Sequence, residues 1–585
     1  MLFNKQTGRI IVIVYFLATV LFTGCSLKQV QTAGVKKPAD FVRTTEKDLQ
    51  WWRDARFGLF IHWGPVSLKG TEIGWSRGRE IPIEVYDNLY KDFNPVKFNA
   101  AEWVRIAKAA GTKYIVITSK HHDGFAIFDS KYTDYDITST PFKRDVLKEL
   151  ARECKKQNIK LCFYHSIIDW HHPDYLPRGA GDMRPAEGAV FERYVTYMKN
   201  QLSELLTNYG PIGILWFDGE WDPTWTPEQG EALYAYVKSL QPHIIINNRV
   251  GKGRAGMEGI TQAGQFPGDY DTPEQQIGKF NIDRPWETCM TICQQWAWKP
   301  DDRLKPLKEC IHTLVRAAGG DGNLLLNVGP MPDGRIEQRQ ADRLKEMGDW
   351  LKKYGESIYK TRGGPFKPGS WGASTYKNKT VYIHILNWSN DVIVLPPIPK
   401  KIIKTSVLTG GAATIKQTNE SIEISLPKDF RHELDTIVAL HLDGQVDDIV
   451  PCDVPAASLN TGKKATASNI FQNNTEHGPD KAIDDDLSTR WATDYGTKQA
   501  WFEVDLGKSI TFNRVKIAES YSRVEEFELQ YKEDGNWQTI FRGTTIGPEY
   551  SKTFDPITAR YVRLNILRAT EGPTIWELQL FAPKK

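Results

Sequence analysis

Strands and helices alternate along the first two thirds of this chain, and that alternation excludes most folds. Apolar runs of about six residues recur: Phe57 to His62, Lys113 to Thr118, Lys160 to His165, Gly213 to Asp218, His243 to Asn247 and Asn323 to Val328. Between them lie stretches with helical periodicity: Ala100 to Ala110, Asp145 to Gln157, Phe191 to Tyr209, Pro227 to Leu240 and Leu304 to Ala318, with Arg339 to Tyr354 after the last strand. In the first of these Trp103, Ile106, Ala107 and Ala110 share one face and Gly111 stops the helix. Continuously apolar strands joined by crossover helices require a parallel sheet buried on both faces. Repeated about seven times over roughly 320 residues, the pattern fits a (β/α)8-like barrel better than an open sheet, although no clean eighth pair is visible. The glycine-rich stretch from Gly251 to Trp298 reads as an extended loop over the barrel mouth.

Barrels of this kind carry their chemistry where the strands end. Here the ends read His62, then His121 and His122, then Tyr164 and His165, then Asp218, then Arg249. In Gly213-Ile214-Leu215-Trp216-Phe217-Asp218-Gly219 an apolar run meets a carboxylate and then a turn. An Asp there can cap the next helix, but five polar strand ends on one rim form a site. Two chemistries could use it. Metal-dependent hydrolysis would draw on His62, His121, His122, Asp123, His171 and His172. Against it, adjacent histidines on an extended strand point to opposite sides, and no His-x-His spacing occurs. Glycoside hydrolysis would use two carboxylates, one attacking the anomeric carbon and one protonating the leaving oxygen. Histidine, tyrosine and tryptophan would then hold sugar hydroxyls. A non-catalytic glycan-binding surface protein is a third reading, disfavoured by the intact Asp218 and the full rim of polar groups.

The motifs Phe57-Gly58-Leu59-Phe60-Ile61-His62-Trp63-Gly64, Lys120-His121-His122-Asp123-Gly124-Phe125, Trp216-Phe217-Asp218-Gly219 and Asn323-Leu324-Leu325-Leu326-Asn327-Val328-Gly329-Pro330 resemble, in order, those of the family-29 glycoside hydrolases, the retaining α-L-fucosidases. The resemblance spans about Phe41 to Leu442 and implies an exo-acting enzyme that removes terminal α-L-fucose through a covalent fucosyl-enzyme, without a catalytic cofactor. It implies Asp218 as nucleophile. It implies His62, Trp75, His121, His122, Tyr164 and Arg249 as the groups that hold fucose hydroxyls and orient the nucleophile. Phe60 and Trp296 match positions lining an apolar pocket for the methyl group of a 6-deoxy sugar. The acid/base lies in the variable loop, where Glu258, Glu274 and Glu287 are candidates. Counted back from the Trp286-Glu287 pair, Glu274 matches the family position, and Glu287 in its apolar run looks like framework.

After Gly364 the pattern changes to short alternating strands: Thr380 to Leu386, Asp391 to Leu395, Ile402 to Leu408, Ser421 to Leu426 and Thr436 to Leu442, a small antiparallel β-sandwich. A further all-β unit follows, with strands at Trp501 to Leu506, Arg514 to Ala518, Glu526 to Tyr531, Tyr561 to Leu567 and Glu577 to Phe581. Its motifs Ala482-Ile483-Asp484-Asp485-Asp486-Leu487-Ser488-Thr489-Arg490-Trp491 and Trp501-Phe502-Glu503-Val504-Asp505-Leu506-Gly507 resemble discoidin, or F5/8 type C, domains, β-sandwiches that often bind carbohydrate. That resemblance implies a structural calcium on Asp484, Asp486, Thr489 and Glu577, oxygen ligands suited to a hard cation. Asp485 stands where the family has glycine.

At the N-terminus Lys5 and Arg9 precede an apolar run from Ile10 to Phe22, then Thr23-Gly24-Cys25. The run is short for a membrane span. It resembles a bacterial lipoprotein signal, which implies export and a lipid on Cys25 holding the protein at a membrane, in the periplasm or on the cell surface. The expected division is 1–25 signal, 26–40 tether, 41–360 catalytic barrel, 361–446 β-sandwich, 447–455 linker and 456–585 discoidin-like domain. With 75 basic against 72 acidic residues, the net charge of +3 leaves no nucleic-acid footprint. The expected partners are fucosylated glycans.

Overall fold

The computed structural model describes residues 43–388, 391–455, 458–485 and 489–583. The signal, the tether and Cys25 lie outside the described residues.

The barrel opens with α1 (Glu46–Ala55), whose N-terminus is closed by a capping box between Thr45 and Asp48. Seven parallel strands follow: β1 (Phe57–Ile61), β2 (Tyr114–Lys120), β3 (Lys160–Ser166), β4 (Ile214–Asp218), β5 (Ile245–Ile246), β6 (Glu287–Thr291) and β7 (Asn323–Val328). They curl in the order β5-β4-β3-β2-β1-β7-β6. The helices on the outside are α2 (Ile83–Asn88), α3 (Ala100–Ala110), α4 (Val146–Gln157), α5 (Phe191–Asn208), α6 (Pro227–Leu240), α7 (Leu307–Gly319) and α8 (Gln338–Tyr354). Side chains of Asn99, Asp145 and Thr226 accept backbone hydrogens at the starts of α3, α4 and α6, which fixes where these helices begin.

Strand alternation decides which residues face inward. Phe60, Tyr114, Val116, Cys162, Tyr164, Ile214, Trp216, Cys289 and Leu325 form one buried cluster. Two residues further along the same columns come His62 and Asp218, which the period therefore delivers to the inner rim.

The loop expected between Gly251 and Trp298 is not all loop, because β6 lies within it. Its sequence Glu287-Thr288-Cys289-Met290-Thr291 has no apolar run, so hydropathy hides it. An irregular segment takes the place of an eighth strand. The Asp269 amide donates to Ile246 O at 2.7 Å and the Asn248 amide to Tyr270 O at 2.9 Å, while on the other side the Glu287 amide donates to Asp271 O at 2.9 Å and the Gln275 amide to Cys289 O at 3.0 Å. Residues 269–275 thus lie between β5 and β6 and close the ring, and they carry Glu274 to its mouth.

Among the described residues the second sheet system has eight strands rather than five. β8 (Arg362–Gly363), β9 (Gly372–Lys377), β10 (Thr380–Ile385), β12 (Ile402–Val407) and β15 (Thr436–Leu442) form one sheet; β11 (Val392–Leu395), β13 (Thr414–Gln417) and β14 (Ile422–Ser425) form the other. Val381, Ile383, Ile393, Leu395, Ile422, Ile424, Val438 and Leu440 fill the space between them.

The last system comprises β16 (Lys464–Ala467), β17 (Trp491–Ala492), β18 (Ala500–Glu519), β19 (Val524–Glu533), β20 (Asn536–Gly543), β21 (Tyr550–Ala569) and β22 (Thr574–Phe581). The two strands expected at Trp501 and Arg514 are one, β18. Its register shifts between Asp505 and Ile510; its first half pairs with β16 and the end of β21, and its second half with β22 and the start of β21. That bend folds the sheet over the core around Trp491, Phe502 and Phe527.

Candidate active site

The Asp218 carboxylate sits where β4 ends, and Gly219, at φ 95°, turns the chain away immediately after it. Arg249 Nη1 donates to Asp218 Oδ1 at 2.6 Å, and the Tyr164 hydroxyl donates to Oδ2 at 3.0 Å. Burial pushes the Asp218 carboxyl up, but the surrounding positive field, Arg249 foremost, with the hydrogen bond that Arg249 gives it, holds the group below its ordinary value. It is an ionised, oriented carboxylate at neutral pH.

Arg249 reaches a second carboxylate. Its Nη2 donates to Glu274 Oε2 at 2.7 Å, and its Nε donates to Thr272 Oγ1 at 3.0 Å. The guanidinium plane lies over Trp216, 4.4 Å from the ring centre. One buried arginine therefore holds the pair Asp218 and Glu274, each on its own nitrogen. Both carboxylates open toward the barrel mouth, Glu274 with 18% of its side chain exposed.

Imidazoles and indoles ring these carboxylates. His121 and His122 lie beyond the extended part of β2, so they do not diverge; their rings are 4.2 Å apart. His121 stacks on Tyr164 at 5.3 Å and 7°. A Cβ on Gly74, at φ 68°, would fall 2.8 Å from His121 Nδ1, so that loop approaches only as glycine. His122 Nε2 is 3.6 Å from Asp218 Oδ2. Burial pushes His62 and His122 down to about 4 despite the nearby carboxylate, so both are neutral at pH 6–7 and the contact with Asp218 is not an ion pair. Trp75 meets His122 at 5.5 Å, and Phe60 and Trp296 pack against His62 at 4.4 and 4.9 Å. All ten residues expected at the site, Phe60, His62, Trp75, His121, His122, Tyr164, Asp218, Arg249, Glu274 and Trp296, thus come together through direct contacts.

Other expectations do not converge here. His165 points away from the barrel axis, and its Nδ1 bonds Ser119 Oγ at 2.9 Å. Asp123 accepts the Tyr86 hydroxyl at 2.7 Å, His171 stacks on Tyr135 at 4.0 Å and His172 lies against Tyr197 at 4.5 Å. The metal-ligand set is therefore dispersed, and among the described residues no three His, Cys, Asp or Glu side chains are grouped to hold an ion. Glu258 is exposed and pairs with Lys279. Glu287 lies at the opposite end of the barrel interior, opposite Asn323 at the start of β7. It accepts from Trp52 Nε1 at 3.0 Å, from the Tyr114 hydroxyl and from the Tyr270 hydroxyl at 3.4 Å. It is framework.

Burial pushes Glu287 up from 4.5 to about 7, the hydrogen bonds opposing. An acid raised in the folded state stabilises the fold fully below its unfolded value and loses that contribution as pH rises through about 7. Glu287→Gln has no such group. Its stability relative to wild type is expected to improve by about 3 kcal/mol between pH 4 and pH 8. Urea melts at both pH values measure this, and a gap that does not change with pH contradicts it.

The sequence reading missed four contributors, Glu220, Trp221, Trp170 and Glu72. Glu220 is buried and accepts Arg254 Nε at 2.7 Å, which places a second cation near Asp218. Trp221 stacks on Trp75 at 6.4 Å and Trp170 meets it at 5.3 Å. Glu72 accepts the amides of Trp296 and Ala297 at 2.9 and 3.1 Å and so fixes the Trp296 loop. Glu220 and Trp221 were visible in the stretch after Asp218; the partner of Glu72 lies more than two hundred positions away.

In the C-terminal system Asp485 adopts φ 59°, and its carboxylate accepts from Thr461 Oγ1 and Gln579 Nε2, both at 2.6 Å. Those two bonds anchor a non-glycine residue in the left-handed region. Thr489 Oγ1 lies 2.8 Å from an Asp484 oxygen, Glu577 is buried, and Asp486 lies outside the described residues.

A curled parallel barrel whose inner rim joins two carboxylates through one arginine, ringed by neutral imidazoles and indoles, defines a glycoside hydrolase. Comparison with known proteins agrees. The α-L-fucosidase family profile matches residues 26–356, and the F5/8 type C domain profile matches residues 464–578. Human plasma α-L-fucosidase is 32% identical over 384 residues, 60% of this chain and 79% of that one. Among solved structures, α-L-fucosidase isoenzyme 1 from Paenibacillus thiaminolyticus shares 35% identity at a TM-score of 0.62, covering 68% of this chain and 99% of the other. A GH29 α-L-fucosidase from Bacteroides thetaiotaomicron, trapped as a covalent intermediate with 2-fluoro-fucosyl fluoride in a Glu-to-Gln mutant, shares 30% identity at a TM-score of 0.62, covering 69% and 97%. The chain belongs to the α-L-fucosidase family, and it carries an F5/8 type C domain after the barrel and its β-sandwich.

Proposed function

We propose that this chain releases terminal α-L-fucose from glycans with retention of configuration, with Asp218 as nucleophile and Glu274 as acid/base. The observation that carries the assignment is the shared arginine: Arg249 binds Asp218 and Glu274 at 2.6 and 2.7 Å. Retaining glycosidases need their two carboxyl groups close, about 5–5.5 Å apart, because one attacks the carbon whose leaving oxygen the other protonates. In the first step Asp218 Oδ attacks the anomeric carbon and Glu274, parted from Arg249, gives its proton to the departing oxygen. In the second step Glu274 takes a proton from water, and that water displaces Asp218. Tyr164 steadies the nucleophile, and His62, His121, His122 and Trp75 hold ring hydroxyls. Phe60 and Trp296 receive the C6 methyl group.

The test is an aryl α-L-fucoside. It is expected to be hydrolysed with α-L-fucose as the first-formed anomer, and the corresponding α-L-galactoside more slowly, because its added hydroxyl meets Phe60 and Trp296. No turnover of the fucoside, or inversion, overturns the reading.

Arg249→Ala should lower kcat/KM about 10²–10³-fold, the scale for removing a preorganised charge at the reacting centre. The acid limb of the pH profile should also move to higher pH. Without Arg249 the largest remaining effect on Asp218 is burial, which raises its pKa. An unmoved acid limb in a folded variant contradicts this role.

The division into signal, tether, barrel, β-sandwich, linker and discoidin-like domain stands as our reading, as do export and a lipid on Cys25; mass spectrometry of the mature N-terminus tests the latter. For the C-terminal domain we read Asp484, Asp486, Thr489 and Glu577 as holding a structural calcium. The donors are all oxygen and Glu577 is buried, which suits a hard cation. Calcium is expected to raise the melting temperature of the C-terminal domain and a chelator to lower it, with fucosidase activity unaffected; identical melts in both conditions would remove the ion.

A further inference from the structure

The hydrogen bonds behind the ring of histidines fix more than their orientation. Asn327 ends the inner face of β7. Its Nδ2 donates to the backbone carbonyl of Trp296 at 2.7 Å, so its other amide atom, 2.6 Å from His62 Nδ1, is the oxygen. An amide oxygen only accepts, so the His62 hydrogen sits on Nδ1. Ser166, at the end of β3, makes the same choice for His122. Its single hydroxyl hydrogen goes to Ile168 O at 2.8 Å, so the oxygen accepts from His122 Nδ1 at 2.6 Å.

We propose that Asn327 and Ser166 are positioning residues that lock His62 and His122 as Nδ1–H tautomers, so that both present a bare Nε2 and accept hydrogens from two fucose hydroxyls. This rests on the fucosidase reading of the site and adds the direction of its hydrogen bonds. With Nδ1 spent on Asn327, Nε2 is the His62 nitrogen left for a ligand. His122 Nε2 stands 3.6 Å from Asp218 Oδ2, and a hydroxyl placed between them meets an acceptor on each side. Burial, which holds both imidazoles neutral at working pH, keeps the second hydrogen off. The site then requires a hydrogen from the sugar at these two positions. An ether oxygen or fluorine, which cannot give one, leaves Nε2 facing a second acceptor.

The arrangement also links two parts of the pocket. Asn327 ties His62 to the Trp296 carbonyl, and Glu72 accepts the Trp296 amide. The hydroxyl-reading imidazole and the indole expected at the methyl group share one support.

The test is binding of L-fucose and of its monodeoxy and monodeoxyfluoro derivatives at C2, C3 and C4, by calorimetry on the full chain. At two of the three positions the fluoro sugar is expected to bind as weakly as the deoxy sugar, about tenfold or more below fucose, the worth of one buried hydrogen bond. Fluoro sugars that bind like fucose at every position overturn the proposal, because fluorine can only accept. Ser166→Ala and Asn327→Leu release one histidine each, and each is expected to narrow the gap between fucose and the fluoro sugar at one position only. Ser166→Thr, which keeps the hydroxyl, restores it. A variant that weakens every ligand alike, with the fluorine pattern unchanged, shows a purely structural role and overturns the proposal. Should these variants not fold, long-range proton–nitrogen spectra of wild-type enzyme labelled in its histidines decide: hydrogens on Nδ1 of His62 and His122 support the assignment, and hydrogens on Nε2 overturn it. Loss of fucose binding and of aryl-fucoside turnover in the wild type would instead defeat the functional reading itself.

Discussion

Asp218→Ala is expected to reduce turnover of an aryl α-L-fucoside by at least about 10⁴-fold, with no loss of folded structure. The covalent step needs a carboxylate at the end of β4, and none of the neighbouring groups can substitute. Glu220 is two residues on, but its carboxylate is engaged with Arg254 at 2.7 Å. Removing Asp218 leaves Arg249 with Glu274 as its remaining carboxylate partner, so the buried guanidinium keeps a counter-charge and the fold survives. The space vacated by the side chain lies on the pocket side, beside the cation. A small anion such as azide should enter it and attack the anomeric carbon from the nucleophile's face. The product would be a β-fucosyl azide, of inverted configuration, and its appearance with rising azide concentration would mark Asp218 as the displaced nucleophile. A variant that retains near-normal activity without azide removes Asp218 from the mechanism.

Much of this site is legible in the sequence, for a definite reason. A strand buried on both faces admits a charge only at its end, so His62 and Asp218 stand out against Phe57-Gly58-Leu59-Phe60-Ile61 and Ile214-Leu215-Trp216-Phe217. The period of two then puts Phe60 and Trp216 beneath them. What stays hidden has no local signature. β6 sets Cys289 and Met290 between threonines and begins on a glutamate, so it is too polar to read as an inner strand. The stave at 269–275 closes the barrel through backbone bonds, which no side-chain pattern announces. In β18 the triplet Gly507-Lys508-Ser509 reads as a turn, yet one long strand runs through it, keeping β21 along one edge while the other edge passes from β16 to β22. The bridging of two carboxylates by Arg249 joins the end of β4 to two separate loop segments in space, and nothing local in the sequence marks that convergence.

The second carboxylate is where the structure adds most to the sequence, because it separates Glu274 from Glu287. Glu287 is enclosed at the base of the barrel by Trp52, Tyr114 and Tyr270, out of reach of any glycosidic oxygen at the mouth. Glu274 is at the mouth, on the same arginine as Asp218. Glu274→Ala should therefore show the behaviour of a missing acid/base. On a natural glycan, whose leaving oxygen needs a proton, the loss is expected to be about 10²–10⁴-fold. On an aryl fucoside with an acidic phenol the first step needs little help, so the fucosyl-enzyme on Asp218 forms quickly. The second step still needs Glu274 to take the proton from water, and it stalls. The measured result should be a burst of phenol close to one equivalent per enzyme, followed by a slow steady rate. Azide needs no base to attack, so it should accelerate the slow phase and yield an α-fucosyl azide, of retained configuration. That product is opposite in configuration to the one expected from Asp218→Ala, and the contrast assigns the two carboxylates independently of any rate. Glu287→Ala should lower stability by several kcal/mol through lost hydrogen bonds and a buried void, with no burst and no response to azide. If the burst and the azide response belong to Glu287→Ala instead, the acid/base is Glu287 and the role given to Glu274 is wrong.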